Sequence, residues 1–129
     1  MMARKTRVFL VDDQPMVLKG LRALLGLQPD LEVCGDALDA ITAWKGIAAA
    51  NPHVVIVDLC LGQHDGVHLI QCLRQDFPQI KVLVFSMYGD EAHVNQALQA
   101  GACGFVTKPE GTEKLVEAIG LMKTGDRLG

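Results

Sequence analysis

The feature that most constrains this chain is an alternation that runs from one end to the other. Short runs of β-branched and other apolar residues are each followed by a stretch in which apolar positions recur at helical spacing. The runs RVFLVD (7–12), LEVCGDA (31–37), HVVIVD (53–58), IKVLVFS (80–86) and ACGFVT (102–107) read as strands. Between them, 15–27 places Val17, Leu18, Leu21, Leu24 and Leu25 on one face, with Pro15 suited to the first helical position. Asp39 can cap a second helix in which Ile41, Trp44 and Ala48 recur, and Asn51-Pro52 ends it. Gly66 opens a third helix carrying Leu69, Ile70 and Leu73, which closes before Pro78. A fourth sets Val94, Ala97, Leu98 and Gly101 on one side, and a fifth, Thr112–Lys123, presents Leu115, Val116, Ile119 and Met122. Strands that alternate with helices imply an α/β domain with a parallel sheet. The third and fourth strands are apolar on both faces, as burial between two helix layers requires.

The chain's 129 residues fit a single domain, 1–129, large enough to bury a core without disulfides or a structural metal. No apolar run approaches the ~20 residues of a membrane helix, and no signal-peptide core is present, so a cytoplasmic protein is expected. Cys34, Cys60, Cys72 and Cys103 lie far apart and form no C-x-x-C pair. That spacing fits reduced, mostly buried thiols rather than a zinc site or disulfide frame. The net charge is −3, and the basic cluster Arg4, Lys5 and Arg7 is too small to neutralise several phosphates. Direct binding of nucleic acid by this chain is not expected.

The polar residues fall at one place in this pattern. The first strand ends in Asp12-Asp13, the third in Asp58 and the fourth in Ser86, while the fifth leads through Thr107 to Lys108. In an open parallel sheet the carboxyl ends of the strands share one edge, and ligands bind in the crevice there. Capping alone explains one such residue, not five. Two carboxylates about 4 Å apart repel by about 4 kcal/mol at an effective dielectric near 20. Three must share a proton or recruit a hard cation. Oxygen ligands without His or Cys side chains point to Mg²⁺ (or Mn²⁺). A carboxylate beside such a cation, an ammonium and a hydroxyl is equipped to accept a phosphoryl group.

These residues closely resemble the receiver domain of two-component response regulators, over nearly the whole chain from VFLVDDQP to KLVEAI. The pieces are Asp12-Asp13, Asp58, Gly66 eight positions later, Ser86, and TKP with Lys108. RALLGLQPDLEVCGDALD and KVLVFSMYGDEAHVNQALQAGACGFVTK look more narrowly like the NarL/FixJ (LuxR-type) subfamily. The resemblance implies a flavodoxin-like (βα)5 three-layer sandwich with strand order 2-1-3-4-5. It implies that Asp58 accepts a phosphoryl group from a sensor histidine kinase. Asp12, Asp13, Asp58 and the backbone carbonyl of Cys60 would hold the metal, Asp12 mainly through water. Lys108 would pair with the phosphoryl group, and Ser86 would hydrogen-bond it while Phe105 turns inward. A cis Lys108–Pro109 bond, a DNA-binding output domain C-terminal to the receiver, control of transcription, and homodimer formation on phosphorylation also belong to the pattern.

Some residues depart from it. Gly62 stands where relatives carry proline, which would give the GQH loop more freedom. His64 in that loop reads as solvated. KPEG is atypical of the subfamily, where an acidic residue commonly follows the lysine directly. Tyr88 and Cys60 occupy positions that flank the phosphoryl group in relatives. The chain stops at TGDRLG, where relatives continue into a helix-turn-helix domain, so it reads as an excised or a stand-alone receiver. Three other functions compete: a pseudo-receiver that binds partners without phosphorylation, an aspartate-nucleophile phosphatase, and an FMN flavodoxin. The phosphatase would place a second acid where Cys60 stands. The flavodoxin would need a phosphate-cradling first loop in place of an acidic one.

Overall fold

The computed structural model describes residues 5–61 and 64–123. Arg4, Gly62, the side chain of His64 and residues 124–129 lie outside that description, and with them the expected freedom of the GQH loop. The elements in chain order are β1 (Thr6–Val11), α1 (Pro15–Leu25), β2 (Leu31–Ala37), α2 (Ala40–Ala50), β3 (Val54–Val57), β4 (Cys60–Leu61), β5 (His64–Asp65), α3 (Gly66–Asp76), β6 (Lys81–Ser86), α4 (Glu91–Ala100), β7 (Gly104–Thr107) and α5 (Thr112–Lys123). A one-turn 3₁₀ helix, Lys108–Glu110, precedes α5. The sheet is parallel throughout, in the order β2-β1-β3-β6-β7. Counting only its members, that is the expected 2-1-3-4-5. The short β4–β5 antiparallel hairpin was not expected from the sequence and stands apart from the sheet.

The strands divide their side chains between two cores, as the period of two demands. Phe9, Val11, Val55, Val57, Val82 and Val84 face α2, α3 and α4 through Ala43, Ile47, Leu69, Ile70, Leu73 and Ala97. Val8, Leu10, Val54, Ile56, Leu83 and Phe85 face α1 and α5 through Leu18, Leu21, Leu25, Leu115, Ile119 and Met122. Helices on both faces make the three-layer sandwich.

Three expectations change at this level. In α2 the buried positions are Ala43 and Ile47, not Ile41, Trp44 and Ala48; Ile41 is 62% exposed. The sheet approaches α2 so closely that small residues face it. Gly35 and Gly46 flank the Phe9 ring, and a Cβ on either would lie within 2.7 Å of a ring carbon. Trp44 instead covers the flank, 5.1 Å from the Phe77 ring. Next, α1 ends at Leu25 rather than 27 because Gly26 disfavours helix and the chain tightens into turns, Leu27 N–H to Leu24 and Gln28 N–H to Leu25. Finally, the four cysteines are free, as expected, but none is fully buried, and Cys60 is exposed.

Capping follows the sequence. Asp39 accepts from the Thr42 N–H at 2.8 Å, and Asn51 ends α2 in the left-handed region at φ 50°. Ile47 and Ile41 therefore separate in a stability measurement. Ile47→Ala is expected to lower the urea-unfolding free energy by about 2–5 kcal/mol. Ile41→Ala should stay within about 0.5 kcal/mol, the ordinary range for exposed positions.

Candidate functional site

The sheet register brings the polar strand ends together. Val11 pairs with Val57, and the ladder continues one step further as Asp58 N–H donates to the Val11 carbonyl at 3.0 Å. Asp12 N–H donates to Ala37 at 3.1 Å. Both aspartates are thus fixed by strand hydrogen bonds, and both are buried, at 3% and 5% exposure. Asp13 follows on the exposed rim. Carboxylate oxygens of Asp12, Asp13 and Asp58 lie within 4.8 Å of one another.

On the other side of β3, Ser86 pairs with Thr107, so the fifth sheet strand delivers Lys108 to the same edge. Its Nζ donates to Asp12 Oδ2 and Asp58 Oδ2, each at 2.9 Å, and to Gln14 Oε1 at 3.1 Å. Asp58 Oδ1 accepts from the Cys60 N–H at 3.1 Å, and Asp12 Oδ1 from the Gln14 N–H at 2.9 Å. Ser86 is fully buried, and its Oγ accepts from the Tyr88 N–H at 3.4 Å. Phe105, half-buried, lines a groove of about 300 Å³ with Val94, Leu98, Ala118 and Leu121.

Gly66 answers a local packing demand. A Cβ there would lie 2.4 Å from the Asp58 carbonyl oxygen and 2.7 Å from Leu59 Cα, both backbone atoms. Any side chain would push the strand end that carries Asp58.

The charges are unbalanced. Burial raises the Asp12 carboxyl above its ordinary value, and the neighbouring Asp58 adds to this; the Lys108 hydrogen bond opposes it without prevailing. Burial would lower the Lys108 ammonium, but hydrogen bonds and attraction from Asp12 and Asp58 hold it above its ordinary value. One ammonium among three carboxylates leaves net negative charge, which fits a divalent cation with oxygen ligands. Asp12, Asp13 and Asp58 supply such ligands.

The structure brings together Asp12, Asp13, Asp58 and Lys108, with Ser86 and Cys60 at the adjoining strand and loop positions. Sequence reasoning missed Gln14, whose amide joins Lys108. It also missed Glu110, which closes a capping box with Thr107 (Glu110 Oε1 accepts from the Thr107 N–H and hydroxyl, both at 2.9 Å). Those bonds hold the Glu110 carboxyl below its ordinary value. The signal was legible as T-x-x-E across 107–110. The Lys108–Pro109 bond is trans, not cis. The 3₁₀ turn accepts Pro109 at its start, where a fixed φ and a missing N–H do no harm.

The family model for the response regulator receiver domain matches residues 8–120. The chain is similar to the transcriptional regulatory protein DegU of Brevibacillus brevis, 31% identical over 94% of this chain and 51% of that protein. A crystal structure of a two-component response regulator of the LuxR family from Aurantimonas sp. SI85-9A1 superposes with a TM-score of 0.91 at 34% identity, covering 95% of this chain and 88% of that one. The isolated REC domain of RcsB from Salmonella enterica serovar Typhimurium gives 0.89 at 26% identity, covering 97% and 93%. The chain spans about half the length of the curated relatives it matches.

Asp12 binds its proton more tightly in the folded chain than in the unfolded one. Its contribution to stability therefore falls as pH rises from the ordinary aspartate range through its raised folded value. Asp12→Asn removes that penalty. Without added divalent metal, the variant should melt a few degrees higher at pH 7, about 3–5 °C for each kcal/mol of relieved burial and repulsion. Melts in acid, below the ordinary aspartate range, should show the difference shrinking.

Proposed function

The chain belongs to the response regulator receiver domain family, and from that premise we propose that it is a phosphorylation-switched signalling module whose acceptor is Asp58. The observation that carries this reading is the Lys108 ammonium, held at 2.9 Å from both Asp58 and Asp12 beside a third carboxylate. A metabolic enzyme is not what this family provides; the covalent chemistry proposed is confined to one phosphoryl group.

In the forward step an Asp58 carboxylate oxygen attacks the phosphorus of a phosphohistidine on a sensor histidine kinase. A phosphorus–oxygen bond forms, the phosphorus–nitrogen bond breaks, and its electron pair returns to the imidazole. Lys108, already seated on Asp58 Oδ2, pairs with the new charge, and Ser86 contributes a hydroxyl at the neighbouring strand end. Asp12, Asp13, Asp58 and the Cys60 carbonyl would hold Mg²⁺ (or Mn²⁺), which supplies positive charge at the transferring oxygens. Slow hydrolysis by water at phosphorus returns phosphate and the free carboxylate.

A phosphoryl group adds about two negative charges and several strong acceptors at the edge. Drawing Ser86 toward it vacates space for Phe105, which lines the groove between α4 and α5. That surface change is the output of the proposed switch. In a full-length protein it would act on a C-terminal DNA-binding domain and so on transcription, in the cytoplasm. Among the described residues no helix is long and apolar enough to cross a membrane.

Incubation with Mg²⁺ and a small-molecule phosphodonor should give one phosphoryl adduct by intact mass. The adduct should be absent without Mg²⁺ and absent in Asp58→Asn. Persistent labelling of that variant would place the acceptor elsewhere, and no adduct on the folded wild type would favour the pseudo-receiver. Asp13→Ala is expected to weaken Mg²⁺ binding at least tenfold in a metal titration; an unchanged titration would remove Asp13 from the metal site.

A further inference from the structure

Next to the site, at the start of α4, the N-cap carboxylate is engaged by a ring of the first turn. Asp90 stands at the N-cap in extended backbone, φ −69° and ψ 159°. Its carboxylate meets the His93 ring, with Nδ1 and Oδ1 2.5 Å apart. Desolvation, the largest single effect, would raise the Asp90 carboxyl, but the hydrogen bond and charge of the His93 ring, together with the backbone amides of Asp90 and His93, hold it below its ordinary value.

The His93 ring has a second contact. It stacks on Tyr88, centroids 5.7 Å apart and planes 25° from parallel. Tyr88 is 57% exposed, so enclosure by the core does not hold its ring in place. The Tyr88 N–H donates to Ser86 Oγ. Between these residues, Gly89 lies so close to β7 that a Cβ would meet Thr107 Cγ2 at 2.3 Å. A continuous path of contacts therefore runs from the first turn of α4 through His93 and Tyr88 to the buried Ser86 hydroxyl.

We propose that Asp90, His93 and Tyr88 form a latch that holds the loop between β6 and α4, and Ser86 with it, in the arrangement of the unphosphorylated site. His93 is thereby a positioning residue for phosphoryl acceptance. This inference rests on the receiver reading above. A ligand that needs Ser86 redirected binds only the fraction of molecules with the latch open, and its apparent affinity is reduced by that fraction.

The test uses beryllofluoride with saturating Mg²⁺ as the phosphoryl mimic on the whole chain, with affinity read at the Ser86 and Tyr88 amides by NMR. His93→Ala is expected to bind it about 3–10-fold more tightly, the effect of losing one aromatic contact and one paired hydrogen bond. Asp90→Ala should tighten binding similarly. The double variant should gain no more than the stronger single one, because both act through one latch. His93→Phe, which keeps the ring and loses the pairing, should fall between His93→Ala and wild type. A merely structural role would shift urea stability and leave these ratios at one. Wild-type affinity in both single variants, or additive gains in the double, overturns the latch while the receiver reading stands. A folded wild type that takes no beryllofluoride overturns both.

Discussion

A single ammonium group holds the carboxyl edge of this sheet together. Lys108 sits between two buried carboxylates that would otherwise repel across a low-dielectric gap, and it reaches both at 2.9 Å. Truncating it would leave Asp12 and Asp58 facing each other without a compensating charge, the costly way to break a buried pair. Much of the surrounding architecture serves this placement. Parallel register sets Asp12 beside Asp58, the Ser86–Thr107 pairing delivers the lysine, and the Thr107–Glu110 capping box stops the chain directly after it. Gln14 completes the ammonium's coordination from the loop after β1.

The same arrangement carries a conflict between stability and function. Burial and the Asp58 charge keep the Asp12 carboxyl above its ordinary value even with Lys108 attached, so the resting edge holds more negative charge than its one cation neutralises. A fold selected for stability alone would replace one aspartate. Retaining all three makes the edge receptive to a divalent cation and, in the proposed function, to a phosphoryl group that brings Lys108 a new partner. Local instability of this kind is common where a site must change its ligands.

Much of this was legible in the sequence, and the failures share a cause. Strand runs of Val, Ile and Leu ending on Asp12, Asp58 and Ser86 announced both the parallel sheet and the polar edge at its carboxyl end, because burial on two faces leaves little room for other readings. The face of α2 was misread because periodicity weighs large apolar residues, whereas the close approach around Phe9 selects Ala43 and two glycines. Large side chains such as Ile41 are left outside. Gln14 escaped notice because its contact with Lys108 joins segments far apart in the sequence, which carry no shared period. Glu110 was different: its capping signature was present and went unread. The trans Lys108–Pro109 bond shows the limit of resemblance, since here a 3₁₀ turn accommodates the proline without isomerisation.

In the proposed switch, one short strand joins the charged edge to the groove. Along β7, Phe105 pairs with Val84 and Thr107 with Ser86, so the groove-lining aromatic and the lysine that follows Thr107 are separated by only a few residues of rigid, hydrogen-bonded backbone. Val106 between them is anchored in the opposite core against α5. Such a strand cannot flex between Phe105 and Lys108 without breaking its ladder, and packed interiors respond to displacement by switching arrangement rather than by deforming smoothly. The softer partner is the loop after Ser86, where Tyr88 is exposed and held by His93. Rearrangement at Asp58 would therefore be expressed where the loop meets α4, with β7 as the fixed reference against which it moves.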